Sequence, residues 1–390
     1  MRKNLVKLLK PPNQNSMDLK LVNEAGDLRG KYVILRASFN VPLKDGAVLN
    51  AYRLERALPT LRYLREAGAR TIVISHLGRK ETDTLQPVFE VMNQLLPMTW
   101  GGVITDLGFA SVREAMQDGD IVCTENLRQD AREEENDDSL AEMIASYGEV
   151  YVNDAFAEAH REHASTYGAA SRLPAYAGFT LAEEVRELSK VMTPQSPSLF
   201  ILGGAKFETK IPLVEKYLAL YDRVFIGGAL ANDVLKARGV NVGKSLVSDV
   251  SLADADFINN PKLMAPVDVI VKSDAGVRTC VVAEVCDEEA ILDIGPATVE
   301  LLQEPIQAAT TILWNGPVGN YEGGFPEGTE AVAKLIAAAP GFSVLGGGDT
   351  VAAVEKLGLN EQFGFISIGG GSMLTLLEHG STPALDLLKR

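Results

Sequence analysis

Basic side chains recur directly after short apolar runs in the first half of the 390-residue sequence. Arg36 ends "KYVILR", "SHLGR" (75–79) follows "RTIVI", and "ENLR" (125–128) follows "DIVCT". If these runs are parallel strands, their carboxyl ends meet at the sheet edge where ligands bind. Arginine forks match the geometry of carboxylates and phosphates. The pattern predicts a pocket for a small, multiply charged anion, although any one side chain could instead form a structural ion pair. The candidates are Arg53, His76, Arg79, Arg128 and Arg161.

Glycine pairs and triplets follow the apolar runs of the second half, in "ILGGAK" (201–206), "FIGGAL" (225–230), "WNGPVGNYEGG" (314–324), "LGGGDT" (345–350) and "SIGGGS" (367–372). One such pair is equally typical of a tight turn. Their repetition predicts a nucleotide site, because glycine permits close backbone approach and free amides bind phosphate. Lys206 and Lys210 would contact the phosphates. Asp349 would bind Mg²⁺ or cap a helix, and Glu322 would accept ribose hydroxyls or be a solvated loop acid.

Four other motifs do not predict a separate site. "GVNVGKS" (239–245) is one residue short of a P-loop and follows no strand-like run. "GGGDTV" (346–351) has valine at the third glycine position of a dinucleotide fingerprint, so a mononucleotide is favoured. His160 and His163 form H-x-x-H without a third-ligand pattern, which favours support of Arg161 or interior packing over zinc. The charge run "REEEND" (132–137) predicts a solvated loop or helix start.

The elements that position these residues alternate between strand-like and helix-like runs. "RLERALPTLRYLREAG" places leucines 54, 58, 61 and 64 at helical spacing, while "VDVIV", "TTILW" and "FSVLG" are continuous and apolar. Such strands between helices indicate parallel sheets covered on both faces. We expect two doubly wound, Rossmann-like α/β domains facing a cleft. Residues 17–172 and 198–372 would form them, with a flexible tail at 1–16 and a helix and hinge at 173–197.

Composition limits the class of protein. Charged residues make up 23% and apolar residues 46%, a soluble globular profile with no apolar run of about 18 residues. No signal peptide is evident, and three cysteines without zinc-site spacing favour a reduced cytoplasm. The net charge of −15 disfavours nucleic acid and anionic membranes as partners.

Taken together, the motifs resemble those of the phosphoglycerate kinase family from about Leu28 to the C-terminus. The matching segments occur in the family's order: "FNVPL", "SHLGR", "ENLR", "YVNDAF" with "AHR", "ILGGAK", "LDIGP", "LWNGPVG", "GGGDT" and "ISIGGG". The resemblance implies reversible, Mg²⁺-dependent transfer of a phosphoryl group from 1,3-bisphosphoglycerate to ADP, giving 3-phosphoglycerate and ATP. It also implies a monomer whose C-terminal segment, about 373–390, folds back onto the N-terminal domain.

The resemblance also implies site residues. The phosphoglycerate site would contain Ser38, Phe39, Asn40, Arg53, His76, Leu77, Gly78, Arg79, Arg128 and Arg161. The nucleotide site would contain Gly203, Ala205, Lys206, Lys210, Gly227, Gly228, Asn315, Pro317, Glu322, Gly347, Gly348, Asp349 and Thr350, with Asp349 linked to Mg²⁺. Charge on the transferred group would be stabilised by Arg53, Lys210, Gly348 and Gly371.

The sequence departs from the family pattern at several of these positions. Ser38 stands where aspartate is usual, and Ala157 and Glu158 where glycine and threonine are usual. Further departures are Lys80, Ile368 and Thr375. Two hypotheses therefore remain beside each other: an active enzyme, and a related protein that binds nucleotide or phosphoglycerate with weak or no turnover. A dehydrogenase is a third, which NAD binding would test.

Overall fold

The computed structural model describes residues 18–205, 210–249, 252 and 255–390. The predicted tail at 1–16 and the candidate phosphate ligand Lys206 lie outside these residues. The chain divides into two units, one comprising the residues up to Arg186 together with Leu374–Arg390, and the other Glu187–Met373.

The first unit contains a six-stranded sheet in the order β5-β6-β4-β1-β7-β8, in which every pairing is parallel. Side chains Val33, Ile34 and Leu35 on its central strand are all fully buried, as expected for a strand covered on both faces. The strands of this unit are β1 (Tyr32–Arg36), β2 (Leu43–Lys44), β3 (Ala47–Val48), β4 (Arg70–Ile74), β5 (Thr99–Gly102), β6 (Ile121–Thr124), β7 (Val150–Asn153) and β8 (Ala175–Ala177), of which β2 and β3 form a separate antiparallel pair.

Helices lie between these strands, as the alternating sequence predicts. They are α1 (Tyr52–Glu66), α2 (Gln86–Leu95), α3 (Phe109–Glu114), α4 (Asp138–Ser146) and α5 (Phe179–Met192). The four leucines of α1 predicted to share a face are buried in the core of the unit. The helix stops at Gly68, whose φ of +75° favours glycine.

The second unit contains a parallel sheet in the order β11-β10-β9-β15-β16-β17. Its core packs around Trp314, Ile312 and Phe225, which are fully buried. Two six-stranded parallel sheets with intervening helices confirm the predicted fold class. The strands are β9 (Ser198–Leu202), β10 (Arg223–Ile226), β11 (Leu263–Met264), β12 (Asp268–Ser273), β13 (Gly276–Val281), β14 (Ala290–Ile294), β15 (Thr311–Asn315), β16 (Phe342–Gly346) and β17 (Phe365–Ile366). The remaining helices are α6 (Ile211–Leu220), α7 (Ala229–Ala237), α8 (Pro296–Ala308), α9 (Glu327–Ala337), α10 (Gly348–Lys356), α11 (Gly371–His379) and α12 (Pro383–Asp386).

One apolar run does not join the parallel sheet. "VDVIV" forms β12, the central strand of an antiparallel sheet ordered β13-β12-β14. Only residues 274–275 separate β12 from β13, far too few for the crossover that parallel strands require. Most of β13 is exposed, so one face of this small sheet meets solvent. The expectation of a parallel strand here was wrong.

The last residues of the chain pack within the first unit. The amide of Lys20 donates to the carbonyl of Leu388, the amide of Arg390 donates to Asp18, and the amide of Ala384 donates to Ala159. Leu385 and Leu388 are fully buried. The boundary between the units falls inside α5, and the predicted hinge at 173–197 stays a prediction.

Within the described ranges, no helix combines the length and apolar character needed to cross a membrane. Cys123, Cys280 and Cys286 are all free thiols. No group of three or more histidine, cysteine, aspartate or glutamate side chains among the described residues could hold a metal by itself.

Candidate functional site

Neighbouring strands bring the predicted anion-binding residues of the first unit to one sheet edge. In the parallel register, Arg36 at the end of β1 lies beside Ile74 on one side and Asn153 on the other. The segments that follow these strands, 37–40, 75–79 and 154–161, therefore start at the same edge. We call the charged cluster formed there the cationic pocket. It contains Arg36, His76, Arg128, Arg161, Glu133 and Glu158.

Arg36 is the most extensively hydrogen-bonded side chain described for the cationic pocket. Its side chain is buried, and Nε donates to Ser165 Oγ at 2.9 Å. Nη1 donates to the carbonyl of Ala37 at 2.6 Å, and Nη2 lies 2.9 Å from Nδ1 of His76. Because all three guanidinium nitrogens are engaged with the protein, Arg36 supplies charge and rigidity to the pocket. The sequence marked Arg36 only as a strand end.

His76 is held as a neutral imidazole. Burial lowers the pKa of its ring, and the nearby guanidinium groups of Arg36 and Arg128 lower that pKa further. A guanidinium can only donate, so Nδ1 of His76 accepts from Arg36 and the ring proton sits on Nε2. Nε2 lies 3.8 Å from Oε1 of Glu158. His76 thus offers a donor, rather than a charge, to its surroundings.

Hydrogen bonds join four of the predicted substrate residues. Asn40 Oδ1 accepts from the amide of Gly78 at 3.0 Å, and the Asn40 carbonyl accepts from Arg53 Nη1 at 2.8 Å. Arg128 Nη1 donates to the carbonyl of Gly78 at 2.5 Å, and Arg128 Nε lies 2.9 Å from Glu134 Oε1. The structure therefore brings together Asn40, Gly78 and Arg128 from the segments after β1, β4 and β6, and Arg53 from the start of α1.

The two remaining arginines are less constrained. Arg161 Nε donates to Nε2 of His160 at 3.3 Å. Support of Arg161 was one of the two roles predicted for the H-x-x-H histidines, the other being interior packing. Arg79 is exposed, and its guanidinium has no hydrogen-bond or ion-pair partner among the described residues. The amide of Arg161 donates to the carbonyl of Glu158 at 2.9 Å, which ties Arg161 to the turn that carries Glu158. No contact within the described residues ties Arg79 to the other predicted site residues.

Two buried carboxylates also lie in this cluster. Glu133, from the charge run expected to be solvated, is fully buried and accepts from the amide and hydroxyl of Ser165 at 2.9 and 2.5 Å. Burial raises the pKa of Glu133, although the charge of Arg36 opposes that shift. The expectation for this run was wrong at Glu133 and correct at Asp137, which caps α4. Glu158 is buried beside Ser38 and His76.

In the second unit, glycines allow the loops after β9, β10 and β15 to touch. The amide of Gly203 donates to Asn315, and the amide of Gly204 donates to Pro317. A Cβ atom at Gly203 would lie 2.0 Å from the Pro317 carbonyl oxygen. Gly228 starts α7 with a φ of +62°, a conformation that favours glycine. Side chains at Gly203 or Gly228 would push these loops apart.

These loops line a cavity of about 270 Å³, which we call the glycine-walled cavity because Gly204, Gly228 and Gly319 contact it. Five predicted nucleotide residues contact it: Ala205, Gly228, Pro317, Glu322 and Asp349. The sequence did not predict the apolar residues in the wall of this cavity, which include Leu235, Leu246, Val269, Ile291 and Val318. Leu235 recurs with helical spacing on α7, so its pattern is the same as that of a core residue. This part of the wall is apolar, as is typical of small-molecule sites.

Three further predicted polar residues, Lys210, Asp349 and Thr350, lie on or next to these loops. Lys210 Nζ donates to the Gly203 carbonyl at 2.9 Å, and burial lowers the pKa of its ammonium to about 8. Asp349 lies in the first turn of α10, as predicted. The hydroxyl of Thr350 is fully buried and has no hydrogen-bond partner within the described part of the chain. Gly203, Gly227, Asn315, Gly347 and Gly348 shape the loops without lining the cavity itself.

A family model described as phosphoglycerate kinase matches residues 22–380. The chain belongs to the phosphoglycerate kinase family. A phosphoglycerate kinase of Rubrobacter xylanophilus is 42% identical over 388 residues, covering 95% of this chain and 98% of the relative. One of Thermus thermophilus is also 42% identical, over 386 residues, with 93% and 98% covered.

Solved phosphoglycerate kinase structures share the fold. That of Coxiella burnetii aligns with a TM-score of 0.82 at 35% identity, and that of Pyrococcus horikoshii with a TM-score of 0.82 at 30% identity. Each alignment covers 95% of this chain and 98% of the other. Against the family pattern, two departures now meet in space, because the Ser38 hydroxyl lies 3.4 Å from Glu158 Oε1.

Proposed function

We propose that this chain catalyses the reversible, Mg²⁺-dependent transfer of a phosphoryl group from 1,3-bisphosphoglycerate to ADP, which gives 3-phosphoglycerate and ATP in glycolysis and gluconeogenesis. One observation carries the proposal. A chain that matches the phosphoglycerate kinase family over residues 22–380 has a cationic pocket in one unit and a glycine-walled cavity in the other.

The phosphoglycerate would bind in the cationic pocket of the first unit. Arg128 and Arg161, together with Arg79, would contact its anionic groups, with the buried charge of Arg36 behind them. Neutral His76 would donate from Nε2, and Asn40 would donate from the amide nitrogen that its internal hydrogen bond leaves available. Of the other predicted contacts, Ser38 and Gly78 lie in the loops at the same sheet edge. The side chains of Phe39 and Leu77 are buried in the hydrophobic core, so these two residues would offer only backbone groups.

The nucleotide would bind in the glycine-walled cavity of the second unit, with its phosphates toward α10. Thr350 offers a buried hydroxyl that lacks a protein partner within the described residues, and Lys210 offers a desolvated ammonium. Asp349 fits a Mg²⁺ ligand, since Mg²⁺ takes one or two protein carboxylates plus substrate phosphates rather than a complete protein cage.

The chemistry needs charge stabilisation more than proton transfer. The carboxylate and the nucleotide phosphate oxygen are already competent nucleophiles, so no strong general base is required. Arg53, Lys210 and the backbone amides near Gly348 and Gly371 would stabilise charge on the transferred group. Bound Mg²⁺ would supply further neutralisation of the phosphate oxygens.

The two candidate sites belong to different units, so transfer requires that the bound ligands meet. We propose that a hinge at residues 173–197 permits this motion, and that closure excludes water from the reacting group. The proposal also includes action as a monomer in the cytoplasm, without nucleic-acid or membrane partners.

A coupled assay tests the function. Purified protein with 3-phosphoglycerate and Mg-ATP is expected to consume ATP, and omission of either substrate or chelation of Mg²⁺ should abolish the signal. Measurable binding of both ligands without turnover would instead support the alternative, a related protein that binds them with weak or no activity. Failure to bind either ligand would contradict both.

A further inference from the structure

A carboxylate is an unexpected side chain in a pocket for an anion. Glu158 ends the short turn Phe156–Glu158 after β7, and only 5% of its surface is exposed. Its Oε1 accepts from the Ser38 hydroxyl at 3.4 Å and lies 3.8 Å from His76 Nε2. Its Oε2 is buried and has no hydrogen-bond partner within the described residues. Oε2 of Glu158 can therefore accept a hydrogen bond that the described part of the chain does not provide.

The neighbouring cations do not supply that donor. All three guanidinium nitrogens of Arg36 are directed to Ser165, Ala37 and His76. Arg128 Nη1 donates to the Gly78 carbonyl, and Arg128 Nε forms an ion pair with Glu134. Arg161 Nε donates to His160. Leaving a buried acceptor unsatisfied is costly, and more so for a charged group. Oε2 of Glu158 is thus an unsatisfied acceptor at the sheet edge where the ligand is proposed to bind.

The proposed ligand has one group that can satisfy this oxygen. The phosphate and the carboxylate of 3-phosphoglycerate accept hydrogen bonds in their ionised forms and are repelled by another carboxylate. Its secondary hydroxyl is the sole donor on the molecule. We propose that Glu158 accepts a hydrogen bond from the secondary hydroxyl of phosphoglycerate, and that it makes this chain selective for the hydroxylated substrate. This inference rests on the function proposed above.

The selectivity should be measurable as a ratio. Hydrogen bonds to a charged acceptor correspond to roughly 10- to 100-fold in affinity or kcat/KM. The analogue 3-phosphonooxypropanoate carries the same phosphate and carboxylate but lacks the hydroxyl. We expect the unmodified chain to prefer 3-phosphoglycerate over this analogue by roughly 10- to 100-fold.

The test compares that preference among variants by calorimetric binding and by the coupled assay. Glu158→Ala should bring the ratio close to one, and Glu158→Gln should retain only part of it because a neutral acceptor is weaker. Glu162→Gln is the matched control, since Glu162 is exposed on the same segment and its substitution removes the same charge. The ratio in this control should match the unmodified chain.

A second variant covers the case in which Glu158→Ala does not fold. Ser38→Asp places another carboxylate close to Glu158, because the Ser38 hydroxyl is 3.4 Å from it. We expect this variant to bind phosphoglycerate more weakly, and addition of Glu158→Gln to restore binding. A preference that is absent in the unmodified chain, or unchanged in Glu158→Gln and Glu158→Ala, overturns the inference. Because binding is measured without turnover, the role of Glu158 can be tested even in a chain that fails the kinase assay.

Discussion

The ammonium of Lys210 lies where a small change in its surroundings alters its charge. Burial lowers its pKa to about 8, and it donates to the neutral carbonyl of Gly203 rather than to a carboxylate. The charged form is present below about pH 8 and is lost as the pH rises through that value. An anionic phosphate placed beside the ammonium would favour the charged form.

Nucleotide binding is therefore expected to be linked to proton uptake. At pH 8, ADP should bind with uptake of a fraction of a proton, and its affinity should fall as the pH rises from 7 to 9. Calorimetry in two buffers of different ionisation enthalpy measures the uptake. Lys210→Arg serves as the control, because a guanidinium stays charged over this range. Identical pH dependence in both proteins would exclude Lys210 as the group responsible.

Arg53 links the helix α1 to the substrate loop through the Asn40 carbonyl. If Arg53 stabilises the transferred phosphoryl group, Arg53→Ala should lower kcat by on the order of 100-fold or more. The Kd for 3-phosphoglycerate should change much less. Arg53→Lys keeps the charge but loses the planar fork of the guanidinium. Its kcat should therefore lie between those of the unmodified chain and Arg53→Ala. Unchanged kcat in Arg53→Ala would refute the catalytic role, and a selective loss of binding would reduce it to substrate positioning.

For individual residues, the sequence predicted which side chains lie at strand ends but not what surrounds them. Arg128, His76 and Asp349 stand out because each follows a strand-like run. Glu133 accepts hydrogen bonds from Ser165, more than thirty positions away in the chain. The lowered pKa of His76 comes from its burial first and from the charge of Arg36 second. Charge, spacing and composition do not encode such pairings, so a buried carboxylate was mistaken for a solvated one.

The loops that follow the strands are the elements on which the nucleotide site depends. The loop after β9 approaches the loop after β15 so closely that Gly203→Ala would place a Cβ atom 2.0 Å from a backbone oxygen. This substitution should lower the melting temperature and weaken nucleotide binding together, because the backbone itself must move.

Gly348→Ala separates stability from phosphate binding. Nothing lies within 4 Å of a Cβ atom at Gly348, and its φ is not in the left-handed region. Its melting temperature should therefore match the unmodified chain, whereas a methyl group at the start of α10 should obstruct approach of the phosphates and reduce turnover. Thermal unfolding measures the melting temperature, and the coupled assay measures the turnover. Full activity in Gly348→Ala would remove this glycine from the proposed charge-stabilising set.

Sequence predicted the elements well where burial was continuous and less well where it was not. The central residues of β1, β9 and β15 are buried apolar runs, and all three strands lie in parallel sheets. The strand β12 has a similar run but pairs in an antiparallel sheet, and its partner β13 is mostly exposed. An apolar run shows that a strand is buried; the length of the following connection decides its direction.

On the scale of the whole molecule, the first unit depends on both ends of the described chain. Leu385 is fully buried and belongs to the C-terminal segment that packs within this unit. Leu385→Ala should reduce the unfolding free energy by about 2–5 kcal/mol. Leu107→Ala is the matched control, because Leu107 is 100% exposed in the same unit and its loss should have little effect.

Hydrogen exchange locates the loss caused by Leu385→Ala. Protection should decrease at Lys20 and Ala384, whose amides bond across this junction. The affinity for ADP, which depends on the second unit, should change less than twofold. Equal loss of protection throughout residues 187–373 would contradict the assignment of the C-terminal segment to the first unit.

The return of the C-terminus also sets an order for assembly on the ribosome. The second unit is one continuous stretch of chain, whereas the first needs Leu388 and Arg390 to complete its bonds with Lys20 and Asp18. Synthesis of residues 187–373 takes on the order of 10 to 40 s at about 5–20 residues per second. Throughout that interval the nascent first unit carries a surface it cannot yet cover. The first unit can be completed only after residues 374–390 have been synthesised, which makes the unit translated first the last to be completed.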